Sequence, residues 1–230
     1  MKRIGLIGGM SWESSAEYYR LINEAVKERL GGLHSADCVM LSVDFDEIEV
    51  LQRETRWTEA AERMVAAARA LEAAGADFVL LCTNTMHKTA DAIQTGISIP
   101  FIHIADPTAA QIKAAGLDSV GLLGTRFTME KDFYTGRLVK KHGLRVILPS
   151  QADREIVHRV IYEELVLGIL REESRAQYVR IMADLVEQGA QGIILGCTEI
   201  GLLVSASDST VPLFDTTRLH ALAGVEAALA

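Results

Sequence analysis

Several features that would announce a function class are missing from this sequence. No apolar run approaches the roughly 20 residues needed to span a bilayer. The opening Met1-Lys2-Arg3-Ile4-Gly5-Leu6-Ile7-Gly8-Gly9 has a basic tip but few apolar residues before its glycines, so it reads as a first strand and not a signal peptide. Cysteine is scarce: Cys38, Cys82 and Cys197 are an odd number behind no export signal, which argues against a disulfide framework. A reduced, cytoplasmic compartment is therefore expected, where a cysteine can serve as a reactive thiol. Positive charge is not in excess. The formal net charge of -8 is spread along the chain and speaks against nucleic acid as the partner. An anionic small molecule stays open, because a few local donors outweigh a diffuse charge. There is no linker or low-complexity segment, no metal-ligand set, and no lysine placed for a Schiff base. Gly5-x-x-Gly8-Gly9 lacks the G-x-G-x-x-G spacing of a dinucleotide loop.

What is present is a globular chain of 230 residues, 49% hydrophobic and 23% charged, long enough for one large domain or two small ones. Strand-like runs fall at 3–8, 37–44, 77–82, 119–124, 144–148 and 191–196, with short extended pieces near 100–103 and 211–214. Helical spacing separates them. Tyr18, Leu21, Ile22, Ala25, Val26 and Arg29 lie on one pattern that ends at Gly31-Gly32, and 58–74 and 174–188 each close on a glycine. Alternating βα units predict an α/β fold with parallel sheet covered by helices. Glu47, Glu49 and Glu54 read as a solvated helix face, and Cys38 as a structural residue of its strand.

An internal repeat extends this to two halves. Arg3-Ile4-Gly5-Leu6-Ile7-Gly8-Gly9-Met10 matches Ser119-Val120-Gly121-Leu122-Leu123-Gly124-Thr125-Arg126 at an offset of 116. Gly75-Ala76-Asp77-Phe78-Val79-Leu80-Leu81-Cys82-Thr83-Asn84 matches Gly189-Ala190-Gln191-Gly192-Ile193-Ile194-Leu195-Gly196-Cys197-Thr198 at an offset of 114. Two pairs in the same order at nearly one offset predict two similar doubly wound parallel-sheet domains related by a pseudo-two-fold axis. The expected division is 1–104 with 212–230, and 105–211. Ligands of such sheets sit beyond the carboxyl ends of the strands, so the matched segments are expected to meet at an active site in the cleft between the domains. The repeat also pairs Thr83 with Cys197 and Cys82 with Gly196. Strand side chains alternate sides, so if Cys197 faces the cleft, Thr83 is its expected partner and Cys82 points away.

Two proton-handling side chains on opposite walls, with no cofactor motif, suit the inversion of a carbon next to a carboxylate. One group takes the α-proton and the other returns a proton to the opposite face. A thiol suits the task because its reference pKa, about 8.5, falls readily near donors or a helix N-terminus. Asn84-Thr85 and Thr198-Glu199 follow the strands and are expected to open helices whose N–H groups hold the substrate carboxylate.

On Ile7-Gly8-Gly9-Met10-Ser11-Trp12-Glu13, Thr83-Asn84-Thr85-Met86-His87 and Gly196-Cys197-Thr198-Glu199, the whole chain resembles the aspartate/glutamate racemases. Among these it looks most like the enterobacterial broad-specificity, or L-aspartate/glutamate, branch. The resemblance implies catalysis by Cys197 and Thr83 with no cofactor and no metal, and substrate contacts from Met10, Gln52, Asn84, Thr85, Thr198 and Glu199. It also implies a small amino-acid substrate and a homodimer. The family's usual first motif reads Cys-Asn-Thr-x-His, so Thr83 stands where a first catalytic cysteine is usual. Gln52 lies near where relatives often place an arginine, which loosens the demand for an acidic side chain. Rival readings keep the fold: a cysteine-dependent lyase, decarboxylase or isomerase of small acids, or a non-catalytic small-acid binding protein. His87 reads as a residue that caps or orients its neighbours.

Overall fold

A computed structural model describes all 230 residues as two compact units, residues 1–104 with 220–230 and residues 105–219. The first unit contains β1 (Ile4–Gly8), α1 (Trp12–Leu30), β2 (Cys38–Ser42), α2 (Phe45–Arg53), α3 (Trp57–Ala73), β3 (Phe78–Leu81), α4 (Ala90–Gly96) and β4 (Phe101–Ile102). Its four strands are all parallel, in the order β2-β1-β3-β4. Every residue of β1 and β3 is buried, as a parallel strand covered on both faces requires.

The pleat of this sheet sorts its side chains into two cores. Ile7, Val79 and Leu81 pack on one side with Ile48 and Leu51 of α2 and Met64, Ala68 and Leu71 of α3. Ile4, Leu6, Phe78, Leu80 and Cys82 pack on the other with Tyr18, Leu21 and Ile22 of α1 and with Ala221 and Val225. Helix α1 begins at Ser11, whose hydroxyl accepts the Ser14 N–H, and stops at Gly31, whose N–H bonds the Lys27 carbonyl. On α2, Glu47 and Glu49 pair with Arg63 and Arg53, and Glu54 caps its end and pairs with Arg56, the solvated ionic face the sequence suggests.

The second unit contains α5 (Ala105–Ala114), β5 (Ser119–Gly124), α6 (Arg126–Glu130), α7 (Asp132–Lys140), β6 (Arg145–Ile147), α8 (Gln151–Glu163), α9 (Glu172–Glu187), β7 (Ile193–Gly196), α10 (Ile200–Leu203) and β8 (Leu213–Asp215). Its sheet repeats the first, parallel throughout in the order β6-β5-β7-β8. The register repeats too: Ile7 sits beside Leu81 in one sheet, and their counterparts Leu123 and Leu195 sit side by side in the other. The last helix, α11 (Thr216–Leu229), carries the chain back, and from His220 it belongs to the first unit.

Residues 213–215 differ from the expectation that put everything from 212 onward in the first half. They form β8 and pair with β7, so the return falls at 219–220. The cause is the ladder itself: Ile193, Ile194 and Leu195 present an open strand edge that Leu213, Phe214 and Asp215 cover. No helix is long and apolar enough to cross a membrane.

Candidate active site

In the first unit the candidate residues gather at the carboxyl end of the sheet. Gly9 and Met10 follow β1, and Thr83 follows β3, the strand directly beside it. Gly9 has φ of 96°, and a Cβ there would lie 2.1 Å from the Val43 carbonyl oxygen. Only glycine lets the β1 loop pass this close to the chain leaving β2. The loop is held by the Gly9 N–H, which donates to Ser15 Oγ at 2.7 Å, and the Met10–Ser11 peptide is cis. Met10 is buried in the cluster with Ile48, Leu51 and Met86. Gln52, next along α2, is 3% exposed.

Thr83, Asn84 and Thr85 are buried polar residues, as a water-poor site needs. Their neighbour Cys82 is wholly buried on the Leu80 side of the sheet, among Tyr18, Ile22 and Val225. Burial raises its thiol pKa far above the ordinary value. Cys82 is thus a core residue, and Thr83 follows it just past the end of β3.

In the second unit the matched position is Cys197, just past β7 and partly exposed. Its Sγ donates to Oε2 of Glu199 at 2.9 Å, and the Thr198 hydroxyl donates to the same oxygen at 2.6 Å. Glu199 is 4% exposed. This arrangement departs from the expected low-pKa thiol. Desolvation pushes the Cys197 pKa well up, and the Glu199 carboxylate pushes it the same way by charge and by accepting the S–H bond. The backbone N–H groups of Thr198 and Glu199 pull weakly in the other direction. The contact aims the thiol proton of Cys197 at the Glu199 carboxylate.

The expected helix N-termini behind each strand are brief. After Thr83 the chain makes a 3-10 turn, Thr85–Thr89, tied by the His87 N–H to the Asn84 carbonyl at 3.1 Å. After Cys197 comes the single turn of α10, entered by the Ile200 N–H bonding the Cys197 carbonyl at 3.2 Å. Backbone N–H groups at these turns can still meet a carboxylate, with less dipole behind them than a long helix supplies. The thiol–carboxylate pair was the feature least visible beforehand. Its only signal is the Cys-x-Glu spacing, which reads equally well as two separate substrate contacts.

Two α/β units, each with a parallel sheet and with a thiol, hydroxyls and a carboxylate beyond the strand ends, are the architecture of a racemase fold. Comparison with known proteins agrees: residues 7–224 match the model of the Asp/Glu/Hydantoin racemase family. The chain belongs to this family and is an isomerase of the racemase type. It is 23% identical to the broad specificity amino-acid racemase RacX of Bacillus subtilis, over 99% of this chain and 98% of the relative. A crystal structure from Yersinia pestis, described as a candidate Asp/Glu racemase, is 57% identical with a TM-score of 0.94, covering 100% of both chains. PH1733, an aspartate racemase homologue from Pyrococcus horikoshii, is 34% identical with a TM-score of 0.87, again over 100% of both.

Proposed function

We propose that the protein racemises free amino acids without a cofactor, with Cys197 serving one face of the α-carbon and Thr83 the other. The observation that carries this reading is the short contact from the Cys197 thiol to the Glu199 carboxylate. As the sulfur takes the α-proton, its own proton passes to Glu199, and the electron pair of the broken C–H bond spreads into the substrate carboxylate. Backbone N–H groups around Asn84, Thr85 and Thr198 stabilise that charge. Thr83 then delivers its hydroxyl proton to the opposite face. Between turnovers Glu199 releases its proton to solvent and the Thr83 oxygen takes one back, so each cycle removes one proton and adds one. Met10 and Gln52 contact the substrate side chain in this reading, and the neutral Gln52 amide favours a range wider than aspartate and glutamate. A homodimer is part of the same proposal and rests on the family resemblance, and a cytoplasmic location rests on the three unpaired cysteines. The test is enantiomer interconversion by purified, chelator-treated protein across acidic and neutral amino acids. Turnover of at least one is expected, and inactivity on all of them refutes the reading.

A further inference from the structure

His87 closes the Thr83-Asn84-Thr85-Met86-His87 segment, and the chemistry above leaves it unused. It is 1% exposed. Its Nδ1 lies 2.7 Å from the Thr83 carbonyl oxygen, and its Nε2 lies 3.1 Å from the Ile104 backbone nitrogen. A carbonyl oxygen only accepts and a backbone N–H only donates, so these two partners determine the ring's protonation. Nδ1 carries the hydrogen and Nε2 the lone pair. His220 shows the opposite choice at Nε2. Its Nε2 lies 2.8 Å from the Ile102 carbonyl oxygen and must donate, and its Nδ1 lies 2.8 Å from the Tyr18 hydroxyl, which can donate or accept.

The four backbone and side-chain groups so tied have a common location. Ile102 ends β4, Ile104 is the last residue before the chain leaves the first unit, and His220 is the first after it returns. The two rings stand edge to face with centroids 5.8 Å apart, and His103 packs 4.5 Å from His87. The buried imidazoles here act as fixed hydrogen-bonding struts: His87 links Thr83 to the end of the β4 segment, and His220 links that segment to Tyr18 of α1.

We propose that His87 is a positioning residue for Thr83, holding its carbonyl to the Ile104 amide so that the hydroxyl meets the substrate in one orientation. The kinetic part rests on the racemase reading above, whereas the protonation pattern does not. Long-range proton–nitrogen NMR of the histidine rings at neutral pH is expected to show His87 protonated on Nδ1 alone, and His220 carrying a proton on Nε2. A His87 ring protonated on Nε2, or on both nitrogens, overturns the proposal whatever the protein's activity. If wild type does racemise, His87→Leu is expected to slow inversion on the order of 10²-fold, the effect of a misplaced reacting group. Solvent deuterium should still enter the starting enantiomer through Cys197 at close to the wild-type rate. His87→Asn keeps an N–H that can reach the Thr83 carbonyl, and should recover part of the inversion rate. Equal loss of exchange and inversion, or no loss of either, refutes the positioning role. If His87→Leu fails to fold, His87→Asn alone should show the same split on a smaller scale, and its absence is equally decisive.

Discussion

Replacing Glu199 by Gln should move two properties of Cys197 in opposite directions. In the native protein a carboxylate oxygen 2.9 Å from Sγ accepts the thiol proton and opposes a charged sulfur. Even with water-like screening, two unit charges at that separation repel by roughly 1.4 kcal/mol, about tenfold in an equilibrium constant. Glu199→Gln therefore raises the thiolate fraction at neutral pH about tenfold or more. A more acidic thiol is also a weaker nucleophile, by about the square root of that factor. Alkylation of Cys197 by iodoacetamide should accordingly speed up about threefold at least. Racemisation should slow, because the amide cannot take the thiol proton as Cys197 takes the substrate's. A loss of about 10²-fold or more matches the removal of a positioned base. The assay is time-resolved peptide mapping by mass spectrometry, which separates Cys197 from the partly exposed Cys38, run beside polarimetric initial rates. Slower alkylation in the variant, or unchanged racemisation, refutes the thiol–carboxylate couple as the working base.

Cys197→Ser should cost about 10²- to 10⁴-fold in racemisation, whereas Cys82→Ala should leave the rate nearly intact and lower stability by about 1 kcal/mol through a small core cavity, measured by denaturant unfolding. The same Cys82→Ala variant should flatten the alkaline loss of stability. Burial holds the folded Cys82 thiol above its ordinary value, so at this residue only the unfolded chain ionises as pH rises past that value, and wild-type stability falls by up to about 1.4 kcal/mol per pH unit more steeply than the variant's; equal slopes in both proteins would contradict the assignment. Threonine is a far weaker acid than a thiol, so solvent deuterium should enter the enantiomer whose α-proton faces Cys197 much faster than inversion occurs. Thr83→Cys should raise inversion and bring the exchange rates of the two enantiomers together, and equal rates in wild type would remove Thr83 as the limiting partner.

Much of this architecture was legible because the repeat carries both period and order. The run at 119–124 is β5 residue for residue, and that at 77–82 contains β3 with one residue to spare at each end. The same alternation that buries Leu80 with Cys82 separates Cys82 from Thr83, so the less reactive residue could be preferred over the thiol beside it. Three things stayed hidden. The partner of Leu213–Asp215 is decided by which strand edge lies open, a long-range matter that a three-residue strand cannot announce. The setting of Cys197 is hidden because donors are visible in a sequence, whereas burial and the approach of Glu199 to the sulfur are not. The tautomer of His87 depends on Ile104, 17 residues away, whose amide has no side-chain signature at all.

The return of α11 to the first unit has a consequence for how the protein comes off the ribosome. Residues 220–230 complete that unit: Ala221 and Val225 fill its core, His220 binds Ile102, and the Lys2 N–H bonds the Ala228 carbonyl. All of these are translated after residues 105–219. The half that starts first must therefore wait, with Ile4, Leu6 and Leu80 short of their closing helix, while the half that starts second can finish first. Vectorial synthesis thus reverses the order of completion, and the early half keeps apolar core surface uncovered for longer.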